Sequence, residues 1–254
     1  ETVRTLARWH CLEFANRWIA PSNTLVAVFG DVDRDAVARQ LQRAFGAIPS
    51  RPTSWPDRLP EETLDGVREA SHTMEREQAL ILLGFRGSTY TAADRYALDV
   101  MTAILSGMAG RLFQAVREGH GLSYTLGAVH VPGWDPGYLM VYAATRPNEQ
   151  AKVLDALAHQ LELTTANGFT EEEVEQAERY LIGTHRLDLG HLVGLAKRSA
   201  LDELYGLGYD AWATYEDKIH AVTVPMVNEA ARRYLTMRQH AQVVISPDGH
   251  PSPR

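Results

Sequence analysis

Two stretches of this 254-residue chain set a histidine and a glutamate on one helical face: His10-Cys11-Leu12-Glu13 and His159-Gln160-Leu161-Glu162. A zinc hydrolase typically uses three protein ligands and keeps an open position for water, and a His/Glu pair at helical spacing supplies two of them. In both stretches the second histidine is missing, because Phe14 and Leu163 stand in its place. The chain contains no HExxH and no HxxEH. Without that partner, each pair reads as a solvated pair on an amphipathic helix, and neither is taken as a metal site.

Other chemistries are excluded in the same way. There is no GxSxG elbow and no GxxxxGK[ST] phosphate loop. The turn Ser106-Gly107-Met108-Ala109-Gly110 has no lysine after its second glycine, so it reads as a helix–helix turn. Glu171, Glu172, Glu173, Glu175 and Glu178 crowd a helix start, where they cap it and complement its dipole. Cys11 is the single cysteine, which rules out an internal disulfide framework. A net charge of −7 with both signs interleaved gives no basic footprint for nucleic acid. No apolar run approaches the roughly 20 residues that span a bilayer. The chain opens on Glu1 and runs straight into a helical pattern, as a piece cut from a longer protein would, so compartment stays open.

The elements that must position any site follow from periodicity. Val3, Leu6, Ala7, Cys11, Phe14 and Trp18 predict a helix, Thr24–Phe29 a buried strand, and residues 33–45 a second helix. A Pro-rich stretch over 47–66 reads as a linker or crossing segment. Strands are expected near Val67–Met74 and at Gln78–Phe85. A helix capped at Thr91–Asp94 runs to Leu105, and a short one covers Arg111–Glu118. Tyr124–Val131 and Tyr138–Ala144 read as paired strands around the loop of Trp134. Helices follow over 147–166, 170–188, 191–206, 209–220 and Thr223–Tyr234, then a last strand at Ala241–Ser246. Strands in runs favour α+β over alternating α/β. Phe14–Gly30 and Ala230–Ser246 echo each other as helix, break and apolar strand, each followed by an Asp (Asp31, Asp248). A chance echo and a true repeat are both open on this pattern alone.

The stretch Ile104-Leu105-Ser106-Gly107-Met108-Ala109-Gly110-Arg111-Leu112-Phe113, followed by Val116-Arg117-Glu118 and Gly121-Leu122-Ser123-Tyr124, resembles the second-half signature of M16 zinc metallopeptidases, the pitrilysin, insulin-degrading and mitochondrial-processing group. Gly110 stands where that signature usually has serine. Trp18, Pro21, Asn23, Gly30–Asp33, Phe45-Gly46-Ala47-Ile48-Pro49, Gln78-Ala79 and Gly84-Phe85 match further family features in order, so the resemblance covers almost the whole chain.

The resemblance implies an α+β fold, an antiparallel sheet flanked by helices in an M16 half-domain of the LuxS-metallohydrolase-like type. Residues 1–49 would be the tail of a preceding homologous half, 50–66 the linker, and 67–250 the second, inactive, substrate-gripping half. The echo is then the common end of both halves. The family's zinc and HxxEH belong to a catalytic half, upstream in the same chain or in a partner subunit, so no metal is expected here. Arg117 and Tyr124 match the family's Arg/Tyr pair that faces the peptide chamber. Arg117 would hold peptide carbonyls, and the Tyr124 hydroxyl would donate to the oxyanion, an effect of about 3 kcal/mol. Gly107 and Gly110 would shape the turn that presents them. Trp134 is a candidate lining residue. A catalytically silent scaffold or a peptide-binding subunit is the alternative, and assembly as homodimer or heterodimer is open.

Overall fold

The computed structural model describes residues 2–52, 63–107, 110–118 and 123–247, with backbone alone at 117, 118, 123 and 124. In chain order the elements are α1 (Arg8–Trp18), α2 (Arg34–Phe45), β1 (Arg68–Thr73), β2 (Ala79–Arg86), α3 (Arg95–Leu105), α4 (Arg111–Glu118), β3 (Ser123–Val131), β4 (Tyr138–Thr145), α5 (Gln150–Asn167), α6 (Glu171–Leu189), α7 (Leu192–Leu204), α8 (Tyr215–His220), α9 (Val224–Tyr234) and β5 (Ala241–Ser246). Among the described residues one short 3-10 turn precedes α1 and three more lie between the later elements.

Period-two alternation builds the sheet. Along β2, Ala79, Ile81, Leu83 and Phe85 are buried, while Leu80, Leu82 and Gly84 are half-buried on the other face. β4 and β5 alternate in the same sense. The strand order is β1-β5-β2-β4-β3. β5 pairs parallel with β1 and antiparallel with β2, so the last strand of the chain is threaded between the first two. The β2–β4 and β3–β4 ladders are antiparallel. This is the α+β architecture expected from the sequence.

Helices close one face. α3 is apolar around most of its circumference, with Leu98, Met101 and Leu105 fully buried, because it runs between the sheet and α6 and α9. Leu157 and Leu161 of α5 join Ile81, Leu83, Leu139 and Val141 in one core. Each such side chain contributes roughly 1.5–3 kcal/mol on leaving water. The opposite sheet face, with Leu82, Met140, Tyr142 and Val243, stays half-buried.

Three expectations are corrected. Thr24–Phe29 is extended but carries no ladder among the described residues, because none of the described strands runs beside it. The first helix is broken at Leu6–Ala7, leaving a 3-10 turn at Thr2–Thr5 ahead of α1. The helix expected over 209–220 is a 3-10 turn, Ala211–Thr214, followed by α8. α1 and α2 bury no residue, and Val3, Trp9 and Phe14 are 79%, 60% and 65% exposed. Of the 50–66 stretch, residues 53–62 lie outside the described residues.

Candidate functional site

The site expected from the sequence is organised by the turn between α3 and α4. α3 ends at Leu105, and Ser106 clamps the turn to the sheet: its Oγ donates to Ala128 O and accepts from Ala128 N, both at 2.8 Å. A serine side chain thus occupies the outer edge of β3 where another strand would pair. Gly107 then takes φ +82°, a conformation that favours glycine. Gly110 has a different reason to be glycine. A Cβ there would overlap the Ser106 carbonyl, so the departure from the family's usual serine fits the turn as built. Met108 and Ala109 lie outside the described residues.

Gly110 opens α4, whose Leu112 and Val116 are buried one turn apart and seat the helix on the core. Arg111, at its first residue, donates from Nε and Nη2 to the two carboxylate oxygens of Glu173 at 2.5 and 2.6 Å. Its guanidinium also lies 4.6 Å from the centre of the Phe169 ring. Glu173 is simultaneously the third residue of the α6 capping box, accepting from Thr170 N at 2.8 Å while its own N–H donates to Thr170 Oγ1 at 3.3 Å. Burial alone would push the Glu173 carboxyl up. The hydrogen bonds from Arg111 and Thr170 and the Arg111 charge outweigh it and hold the group below its ordinary value. Gly107, Gly110, Arg111 and Glu173 together line a cavity of about 420 Å³.

Arg117 sits in the last turn of α4, one residue past Val116, and Tyr124 is the second residue of β3. Their side chains lie outside the described residues. The backbone register is informative: Ser123 pairs with Thr145 and Thr125 with Ala144, so Tyr124 is an extra residue at a bulge. Bulges re-aim a side chain away from the alternation of its strand. The two candidates therefore flank residues 119–122, which lie outside the described residues, at the junction of α4 and β3.

The other candidates fall elsewhere. His10 Nδ1 accepts from Ala7 N at 2.9 Å and so closes the start of α1, while His159 is exposed on α5. Among the described residues no group of three or more His, Cys, Asp or Glu side chains could hold a metal ion, so they do not fit a zinc site. Trp134 is about half exposed and tilts on Tyr205 at 5.7 Å, which in turn stacks on Tyr90 at 3.6 Å. Burial and the hydrogen bond with Tyr205 push the Tyr90 hydroxyl up to about 12.

Two constellations have no signal in the sequence. Arg111 with Glu173 is one, since a contact 62 residues apart leaves no periodic trace. The other joins Ser88 Oγ to His130 Nε2 at 3.0 Å and His130 Nδ1 to Asp99 Oδ1 at 2.9 Å. The order of groups is that of a nucleophile, base and acid. However, Ser88 is 3% exposed and the His130 side chain 1%, so no substrate carbonyl reaches the hydroxyl. The trio fastens β3 to α3 and to the connection after β2.

The fold and the braced α3–α4 turn define a helix-backed α+β domain. The chain belongs to the Peptidase M16 inactive domain family, whose model matches residues 8–181. It is 31% identical over 247 residues to a protein of Mycobacterium leprae named as an uncharacterized zinc protease, covering 96% of this chain and 56% of that one. A zinc protease so named in Bacillus subtilis is 26% identical over 253 residues, covering 98% and 61%. The chain thus spans little more than half the length of these curated relatives. Among solved structures, a peptidase M16 inactive domain from Pseudomonas fluorescens superposes with a TM-score of 0.84 at 21% identity, covering 98% of this chain and 60% of that one. A protease from Helicobacter pylori gives 0.85 at 18% identity, covering 96% and 60%. At these identities the superpositions establish the fold. Among the described residues no helix is long and apolar enough to cross a membrane.

Proposed function

We propose that this chain is the substrate-gripping, non-catalytic half of an M16-type zinc endopeptidase. The observation that carries the reading is Tyr124 at a bulge, one short segment beyond Arg117, on elements braced by Ser106 and by the Arg111–Glu173 pair. Arg117 presents fixed donors to peptide carbonyls, and the Tyr124 hydroxyl donates to the oxyanion as it forms. Zinc and the HxxEH motif are assigned to a catalytic half, in the same protein or in a partner subunit. The zinc-protease names of the relatives support that division.

Residues 1–49 are assigned to the end of the preceding half, and 67–250 to the second. Thr24–Phe29 is the counterpart of β5, which sits between a parallel and an antiparallel neighbour. A strand of that kind needs two partners, and the lack of a ladder partner among the described residues, together with the exposure of α1 and α2, supports a sheet supplied by the rest of that half.

The test is Tyr124→Phe in the assembled enzyme. Turnover should fall by roughly a hundredfold, about 3 kcal/mol, with little change in peptide affinity. Unchanged turnover in both Tyr124→Phe and Arg117→Gln would leave the catalytically silent scaffold as the reading.

A further inference from the structure

At the end of the sheet remote from the start of β3, a groove of about 1230 Å³ opens between the strand ends and the ends of α3 and α9. Gly84 of β2 and Ala241 of β5 are cross-strand partners and line it side by side. Arg68, the partner of Ala241 on β1, and Arg86, two residues beyond Gly84, lie on the same face by register. Arg233 and Asp94 line the groove as well. Asp94 is already engaged, accepting from Arg233 Nη1 at 3.0 Å and from Tyr234 OH at 2.8 Å. Arg68 and Arg86 are exposed and have no ion-pair partner among the described residues. In a chain of net charge −7, this groove gathers three arginines around one occupied carboxylate.

Gly84 adds an independent indication. Its φ is not in the left-handed region, and a Cβ there would meet only Ala241 at an ordinary 3.8 Å. Backbone and packing therefore both admit a side chain, yet the strand interior keeps a glycine, which weakens it. A missing side chain at such a place leaves room for another backbone to approach.

We propose that the groove binds a carboxylate of a peptide, from an acidic side chain or a free C-terminus, with the peptide backbone lying over Gly84 and Ala241. Two unpaired guanidiniums are suited to bidentate capture of a carboxylate. The neighbouring Leu82, Val243 and Met140 favour a peptide over a polyanion such as nucleic acid, which needs an extended basic track. The choice of a peptide as occupant rests on the function proposed above. From the Ser123–Thr145 rung to the Val131–Tyr138 rung, β4 runs 145 − 138 = 7 steps. At ~3.4 Å each this is about 24 Å, so the start of β3 and the groove lie within the length of one extended peptide of about eight residues.

The test is fluorescence anisotropy of labelled twelve-residue peptides on the full chain. One peptide carries Glu with an amidated end, one Gln with an amidated end, and one Gln with a free C-terminus. Either carboxylate should tighten binding about tenfold over the neutral amide, equivalent to roughly 1.4 kcal/mol; the stronger of the two names the source. Arg68→Gln with Arg86→Gln should bring all three within about twofold, with circular dichroism unchanged, and Gly84→Val should weaken all three. Equal binding of the neutral peptide to the unmodified chain would overturn the proposal. So would a preference that survives the double substitution, or displacement of the Glu peptide by an oligonucleotide at equal potency. Tyr124→Phe leaves this preference intact while it lowers turnover, so a failure here and a failure of the proteolytic role read out separately.

Discussion

Arg111 and Glu173 join the first residue of α4 to the capping box of α6 through two charge-assisted hydrogen bonds of 2.5 and 2.6 Å. Both side chains are mostly covered, at 19% and 27% exposure. The pair is therefore an electrostatic brace on the helix that carries Arg117. Arg111→Ala should destabilise the domain by about 2 kcal/mol, because it leaves a largely covered carboxylate without its partner. Arg111→Lys should recover only part, since an ammonium cannot form the fork. Urea denaturation checks both, and indifference to Arg111→Ala would remove the brace from the account.

The same pair sets a pH dependence. Glu173 is held below its ordinary value in the folded state, so in mildly acid solution the unfolded chain takes up the proton first. Its stabilisation is fully present above the ordinary glutamate range of roughly 4.3 and is lost as pH falls through the lower folded value. Stability of the native chain minus that of Glu173→Gln, measured by urea from pH 7 to pH 3, should be constant at the top and shrink below about pH 4.5. A difference that grows on acidification would contradict the assignment.

The two glycines of the turn should fail differently. Gly107→Ala places a side chain at φ +82° with open space around it, a backbone penalty of about 1 kcal/mol. Gly110→Ala drives a Cβ into the Ser106 carbonyl, so the turn must shift and the loss should be larger, about 2 kcal/mol or more. The Ser106 clamp on Ala128 should loosen with it, which hydrogen exchange at the Ala128 amide reads directly. Equal losses for the two variants would show that the turn relaxes freely.

Removing residues 2–49 should leave the remaining domain intact, because α1 and α2 bury nothing. The thermal midpoint should move by less than about 2 °C, whereas a fall beyond about 8 °C would mean that this segment contributes to the core. The deletion should also suppress self-association driven by the exposed Val3, Trp9 and Phe14.

Most local elements and their order are legible in the amino-acid sequence alone, the first helix, Thr24–Phe29 and the 209–220 segment being the exceptions. The apolar run at Gln78–Phe85, the Thr170–Glu173 box and the glycines after Leu105 each encode structure within one or two turns of chain, where spacing and backbone preference act directly. It also carried the family resemblance, and with it Arg117 and Tyr124. Tertiary structure decided what depends on partners far apart in sequence. β5 enters between β1 and β2, Ser106 finds Ala128, Arg111 finds Glu173, and Arg68, Arg86 and Arg233 meet around one groove. Thr24–Phe29 shows the same rule from the other side. Its composition is that of a buried strand, but a strand is completed only by neighbours that accept its hydrogen bonds, and none of the described strands does so.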